Sequence, residues 1–122
     1  MKNLLLVLVC VTLGVGGQLL LKQGMSADRD AVDRASEVLP RLVKAARNPM
    51  VVSGFLLYFL SAGLWLIVLT RAELSWAYPL LSLGYVLVVL LSRVLFHEAV
   101  TATRLLGTLV VVLGVWLITR TQ

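Results

Sequence analysis

Long apolar runs separated by polar links dominate the pattern of the chain. Each run is close to the roughly 20 residues that a helix needs to cross the bilayer hydrocarbon. The runs occupy residues 3–21, 50–70, 75–96 and 102–119. The second and third links are only a few residues long, so successive helices must run antiparallel. The pattern predicts an all-α integral membrane protein, with one four-transmembrane-helix bundle over residues 1–122.

The first link, residues 26–47, has a different pattern. Apolar residues recur there at helical spacing between charged ones, Ser26 is a candidate N-cap, and Pro40 should break or kink a helix midway. Such a segment is typical of an amphipathic helix lying in the membrane interface. A solvated linker helix is the alternative.

Composition supports the membrane assignment. The 122 residues are 60% hydrophobic and 14% charged, which is too apolar for a soluble domain of this size. The net charge of +5 does not indicate a nucleic-acid partner, because the basic residues lie at helix ends and in the first link. By the positive-inside rule, the first and third links lie in the cytoplasm and both termini lie outside. The single cysteine, Cys10, excludes an internal disulfide.

A polar stripe runs along the third apolar run. Tyr78, Ser82, Tyr85 and Ser92 are spaced i, i+4, i+7 and i+14, which places them on one face of a continuous helix. Polar groups at membrane depth need protein, water or a ligand as partners. We therefore expect this face to line the substrate path of a small transporter.

Charged residues gather at one membrane face in this topology. Lys22, Arg93, His97 and Glu98 meet there, with Gln18 one turn before Lys22. Two cations beside a polar groove suit a phosphate group. Alternatively, Lys22 only reaches toward the interface, and Arg93 forms a structural salt bridge with Glu98. His97 is the only histidine, so no metal site or other cofactor is expected.

Glycines mark candidate helix contacts. Gly14, Gly16 and Gly17 fall in the first run, where they favour close helix approach. Gly107 and Gly114 share a face of the fourth helix and are candidates for a dimer interface, although incidental glycines on a lipid-facing helix are the alternative. Helix packing explains the face of Gly54, Tyr58 and Ser61 at least as well as ligand contact does.

Three motifs together resemble a known group of transporters. They are GQLLLKQG in helix 1, AYPLLSLGYV in helix 3 and LFHEAVTATRLLGTLVVVLGVWLI through helix 4. They resemble the small multidrug resistance and EamA-like transporter superfamily, and within it the paired small flippase subunits for aminoarabinose-phosphoundecaprenol. The resemblance implies the small multidrug resistance fold, a homodimer or a heterodimer with a paralogue, and a lipid-linked sugar as substrate.

Two departures qualify the resemblance. Multidrug members carry a membrane-embedded glutamate in helix 1, and the matching position here is Gly14. The turn His97-Glu98-Ala99-Val100 lacks the proline of the flippase turn, so the sugar is not fixed by the resemblance.

The sequence thus predicts a non-enzymatic, multi-pass flippase of the bacterial inner membrane that moves a polyprenyl-phosphate-linked sugar. Lys22 and Arg93 would hold the phosphate, and Glu98 would orient Arg93 or contact an amino sugar. Hydrogen bonds to the sugar would come from Gln18, Tyr78, Ser82 and Tyr85. A small-molecule exporter of polyamines or organic cations is one alternative, and a membrane scaffold for a glycosyltransferase is another.

Overall fold

The computed structural model describes residues 2–26 and 38–121, and these residues are almost entirely helical. The helices are α1 (Lys2–Ser26), α2 (Val38–Arg47), α3 (Pro49–Leu69), α4 (Leu74–Leu81), α5 (Leu83–Phe96) and α6 (Ala102–Thr119). Four stretches are long and apolar enough to cross a membrane: α1, α3, α4 with α5, and α6. The predicted all-α bundle of four membrane helices is confirmed.

The predicted interfacial segment corresponds in part to α2. This helix is strongly amphipathic, with Leu39, Leu42 and Val43 on its apolar face and Lys44 and Arg47 in its last turn. Basic residues there complement the helix dipole. Residues 27–37 lie outside the described part of the chain, so the predicted break at Pro40, which falls in the first turn of α2, is not tested.

Helix α1 is longer than predicted. It continues past residue 21 to Ser26, so Ser26 belongs to α1 and not to the amphipathic segment. The Ser26 hydroxyl donates a hydrogen bond to the Lys22 carbonyl, inside α1. The predicted end was wrong because it followed the loss of apolar character at Lys22 and Gln23. Both are good helix formers, so a helix can leave the hydrocarbon without ending.

Close packing of α1 against α3 forms the centre of the fold. A Cβ atom built on Gly17 would lie 2.7 Å from the Gly54 carbonyl oxygen, and one on Gly54 would lie 2.8 Å from the Gly17 carbonyl oxygen. Only glycines permit two helix backbones to approach this closely. The predicted packing role of helix 1 glycines is thus confirmed for Gly17.

The Asn48 side chain joins α1 and α3 at the cytoplasmic end predicted for this bundle. Its Oδ1 accepts a hydrogen bond from the Met50 amide at 3.0 Å and so caps α3. Its Nδ2 donates to the Gly24 carbonyl at 3.2 Å, near the end of α1. Pro49 occupies the start of α3, where its missing N–H costs no helical hydrogen bond.

The third membrane span covers Leu74–Phe96, in agreement with the predicted helix over 75–96, but it carries a tightened turn in the middle. α4 ends at Leu81 and α5 begins at Leu83, while Ser82 between them keeps helical backbone angles, φ −65° and ψ −18°. Pro79 has no N–H to donate back into α4, and the next bonds tighten: the Ser82 amide reaches the Pro79 carbonyl at 3.0 Å, and the Tyr85 amide reaches the Ser82 carbonyl at 3.0 Å. α4 is anchored in the core by Trp76, Ala77 and Leu80.

Helix α6 lies on the outside of the bundle. The Thr101 side chain accepts a hydrogen bond from the Arg104 amide at 3.3 Å, which confirms the predicted N-cap. α6 packs mainly against α4 and α5, and Val115 is its buried residue. Most of its large apolar side chains are exposed, and Gly107 and Gly114 have open space beside them.

Candidate substrate groove

A groove of about 440 Å³ lies between α1, α3 and the two halves of the third span. α1 contributes the face that runs from Cys10 through Gly14 to Gln18, and α3 contributes the face from Tyr58 to Trp65. The third side comes from the junction of α4 and α5, through Leu81, Gly84, Tyr85 and Val88. α6 contributes no lining residue.

The groove is apolar in outline but carries three polar side chains without a described partner. Gln18 is exposed, and Tyr58 and Tyr85 are 47% and 70% exposed. A fourth polar group, the Ser61 hydroxyl, is already used, since it donates to the Cys10 carbonyl at 2.7 Å. The lining residues include no Asp, Glu, Lys, Arg or His. The groove therefore offers neutral amide and phenol groups for hydrogen bonds.

The four residues of the predicted polar stripe have separate roles. Tyr85 lines the groove, whereas Tyr78 is not among the lining residues and makes a T-shaped contact with the Trp65 ring, with centroids 5.7 Å apart. The Ser82 and Ser92 hydroxyls donate to carbonyls of their own turns, those of Pro79 and Val89. Of the four residues of the predicted polar stripe, only Tyr85 therefore lines the groove.

Three groove residues on α3 were not selected from the sequence. Tyr58, Ser61 and Trp65 follow one another at i, i+3 and i+7, so they share a face. That spacing was visible, but it fits helix packing as well as ligand contact. The structure separates the two uses: Gly54 packs on α1, and Tyr58 opens onto the groove.

Charged residues meet just beyond the Gln18 end of the groove. Lys22 forms an ion pair with Glu98, and its ammonium nitrogen lies 4.6 Å from the centroid of the Phe96 ring. The two paired side chains are 38% and 32% exposed. Because Lys22 is one helical turn after Gln18, the pair lies beyond the Gln18 end of the groove and joins α1 to the turn that follows α5.

The pairing of Glu98 differs from the expected one. Glu98 contacts Lys22, not Arg93, so the predicted salt bridge between Arg93 and Glu98 is wrong. His97 explains the difference. It takes the left-handed conformation, with φ 53°, and ends α5, which turns the chain so that Glu98 reaches α1. Arg93 remains exposed in the last turn of α5.

The side chains of His97 and Arg93 have no hydrogen-bonding or ionic partner within residues 2–26 and 38–121. In the same part of the chain, no three His, Cys, Asp or Glu side chains come together in a way that could hold a metal ion. The role of His97 that the structure shows is conformational, as the C-cap of α5. Arg93 is available to an anion at the membrane surface.

Comparison with known proteins shows close relatives over the whole length. The chain is 34% identical over 119 residues to the probable 4-amino-4-deoxy-L-arabinose-phosphoundecaprenol flippase subunit ArnE of Aeromonas hydrophila, covering 97% of this chain and 96% of the relative. It is 36% identical over 113 residues to the protein of the same name from Serratia proteamaculans, covering 93% and 91%.

A second set of relatives carries the companion name. The probable flippase subunit ArnF of Serratia proteamaculans is 40% identical over 104 residues, covering 83% of this chain and 79% of the relative. No solved structure matches the chain significantly. The sequence profile of the EamA-like transporter family matches residues 35–120, a range that includes helices α2 to α6. With most of its length matched by that profile and by these relatives, the chain belongs to the EamA-like transporter family.

Proposed function

We propose that the protein is a subunit of a flippase that moves a polyprenyl-phosphate-linked sugar across the bacterial inner membrane. The observation that carries the proposal is the groove, which combines apolar walls with the neutral hydrogen-bonding groups of Gln18, Tyr58 and Tyr85. Sugar hydroxyls pair well with amides and phenols. The relatives named as flippase subunits for an arabinose-phosphoundecaprenol support the same substrate class.

The groove also argues against export of organic cations. A cation at membrane depth needs a carboxylate partner. Gly14, which lies on the groove, is the position where multidrug members of the resembled superfamily carry their glutamate. The two acids within the described residues, Glu73 and Glu98, lie outside the groove lining, and Glu98 is paired with Lys22.

In the proposed mechanism, the polyprenyl tail stays in the lipid and the head group enters the groove from the side. Gln18, Tyr58 and Tyr85 donate and accept hydrogen bonds to the sugar. Lys22 lies one turn beyond Gln18, within reach of the phosphate, and exposed Arg93 offers a second cation at the same membrane face. Tyr78 and Ser82 act as supports of the groove wall, without contacting the sugar. No covalent step is needed, so the protein is not an enzyme in this proposal.

The transporter works as a dimer in this proposal, with a second copy or a paralogue. Helix α6 supplies the contact, because it is the most exposed span and its Gly107 and Gly114 leave room for a neighbouring helix. Relatives carrying two different subunit names favour a paralogous partner.

Native mass spectrometry with added polyprenyl-phosphate sugar tests the proposal. Gln18→Ala and Tyr85→Phe should each weaken binding of the sugar-bearing lipid by roughly three- to tenfold, the cost of about one hydrogen bond in a site shielded from water. Tyr78→Phe is the matched control, since that phenol lies outside the groove lining. Equal affinities in all three variants, or wild-type protein that retains only ordinary phospholipid, would refute the proposal.

A further inference from the structure

The cation best placed for a substrate phosphate is already occupied in the structure. Lys22 has Glu98 on one side and the Phe96 ring on another. We propose that Glu98 is an internal counter-anion that competes with the substrate phosphate for Lys22, so that loading the substrate opens the link between α1 and the turn after α5. The inference rests on the proposed function and adds a gating residue to it.

Electrostatics make the two anions exclusive. If the phosphate approached Lys22 while Glu98 stayed in place, two anions would share one ammonium group, and their repulsion would cancel much of the gain. Arg93 does not neutralise the Glu98 carboxylate, because the structure pairs Glu98 with Lys22 and not with Arg93. One anion must therefore leave when the other binds.

The ion pair is exposed enough to be exchanged. With about one third of each side chain open to solvent, both partners are accessible, and ion pairs at this level of exposure are weak. The Phe96 ring is at the end of α5, so its contact with the Lys22 ammonium weakens together with the ion pair when the link opens.

The pair also connects the ends of two elements that line the groove. Lys22 belongs to α1, which the contact between Gly17 and Gly54 holds tightly to α3. Glu98 follows α5, which is separated from the anchored α4 at Ser82. Breaking the pair removes the described polar contact between the end of α1 and the end of the third span, and both elements line the groove.

The test uses polyprenyl phosphate without a sugar, because that probe presents only the phosphate and the tail. Binding is titrated by native mass spectrometry to wild-type protein, Glu98→Gln, Lys22→Met and the double variant. Glu98→Gln should bind the probe roughly two- to fivefold more tightly than wild type, as expected for release of a weak competing ion pair. Lys22→Met should bind it more weakly, and adding Glu98→Gln to Lys22→Met should gain less affinity than Glu98→Gln gains in the wild type, because only the repulsion and not the competition for Lys22 is then relieved.

Controls separate competition from a structural effect. Glu98→Asp keeps the charge and should bind like wild type, and Glu73→Gln removes an acid in the link between α3 and α4 and should also leave the affinity unchanged. Unaltered or weaker binding by Glu98→Gln would overturn the inference while leaving the proposed function intact. Wild-type protein that binds neither polyprenyl phosphate nor its sugar conjugate would overturn both.

Discussion

Of the glycine-to-alanine substitutions in α1, Gly17→Ala should destabilise the bundle most. The added Cβ would lie 2.7 Å from the Gly54 carbonyl oxygen and 2.9 Å from the Tyr58 amide nitrogen. Both are backbone atoms of α3, so no side-chain rotation can relieve the clash. The helices themselves must move apart.

The size of the effect follows from that geometry. An ordinary contact to carbon begins near 3.4 Å, so the gap between α1 and α3 must widen by about 0.7 Å at this point. Overpacking of this kind costs about 1–3 kcal/mol. The better helix propensity of alanine returns at most about 1 kcal/mol, so a net loss remains.

Unfolding in mixed micelles with increasing denaturing detergent, followed by the fluorescence of the three tryptophans, measures this loss. Gly63→Ala is the matched control on α3, since a Cβ there meets nothing within 4 Å. Gly54→Ala should cost a similar amount to Gly17→Ala, and the double variant should cost less than the two together, because the first substitution already separates the helices. A Gly17→Ala protein as stable as Gly63→Ala would refute the packing argument.

Three further substitutions test other contacts. Asn48→Ala removes the cap of α3 and the bond to the end of α1, and should lower the free energy of unfolding by about 1–2 kcal/mol, whereas Ser53→Ala, whose hydroxyl bonds only within its own helix, should cost much less in the same assay. Thr101→Ala removes the cap of α6 and should cost about 1 kcal/mol by thermal unfolding, with Thr108→Ala on the same helix as its control. Gly14→Glu places an unpaired carboxylate on the groove and should abolish binding of the anionic lipid in native mass spectra, while Gly14→Ala, whose methyl meets only the Ser61 hydroxyl closely, should retain most of it. Retained lipid binding by Gly14→Glu would show that the head group does not enter this groove.

The membrane spans and several of their ends could be predicted because they depend on local sequence. Apolar length defines each span, Asn48-Pro49 restarts the chain into α3, and Thr101 caps α6. The end of α1 could not be placed this way, since hydropathy marks where a helix leaves the hydrocarbon and not where its hydrogen bonds stop. The tightened turn at Ser82 could not be predicted either. Pro79 shows from the sequence that a helical hydrogen bond is missing, but not which neighbouring bonds shorten to replace it.

The site was harder to predict, because its geometry depends on neighbouring helices. Gln18 and Tyr85 were selected as polar groups at membrane depth, and both lie on the groove, although their binding role stays a prediction. The sequence does not separate a packing role from a binding role for Tyr58, because this residue shares its helix face with the packing residue Gly54. The partner of Glu98 could not be read from spacing, since the left-handed backbone of His97 decides its direction.

The tightened turn in the third span also has a mechanical consequence. α5 has 14 residues, so it forms a rigid arm about 21 Å long that begins next to Ser82 and ends at the turn carrying Glu98. A rotation of only about 10° at its start would displace the far end by about 4 Å, which is the whole range of an ion pair. A small change of angle beside Tyr85 at the groove would therefore be magnified into the loss of the ion pair between Lys22 and Glu98.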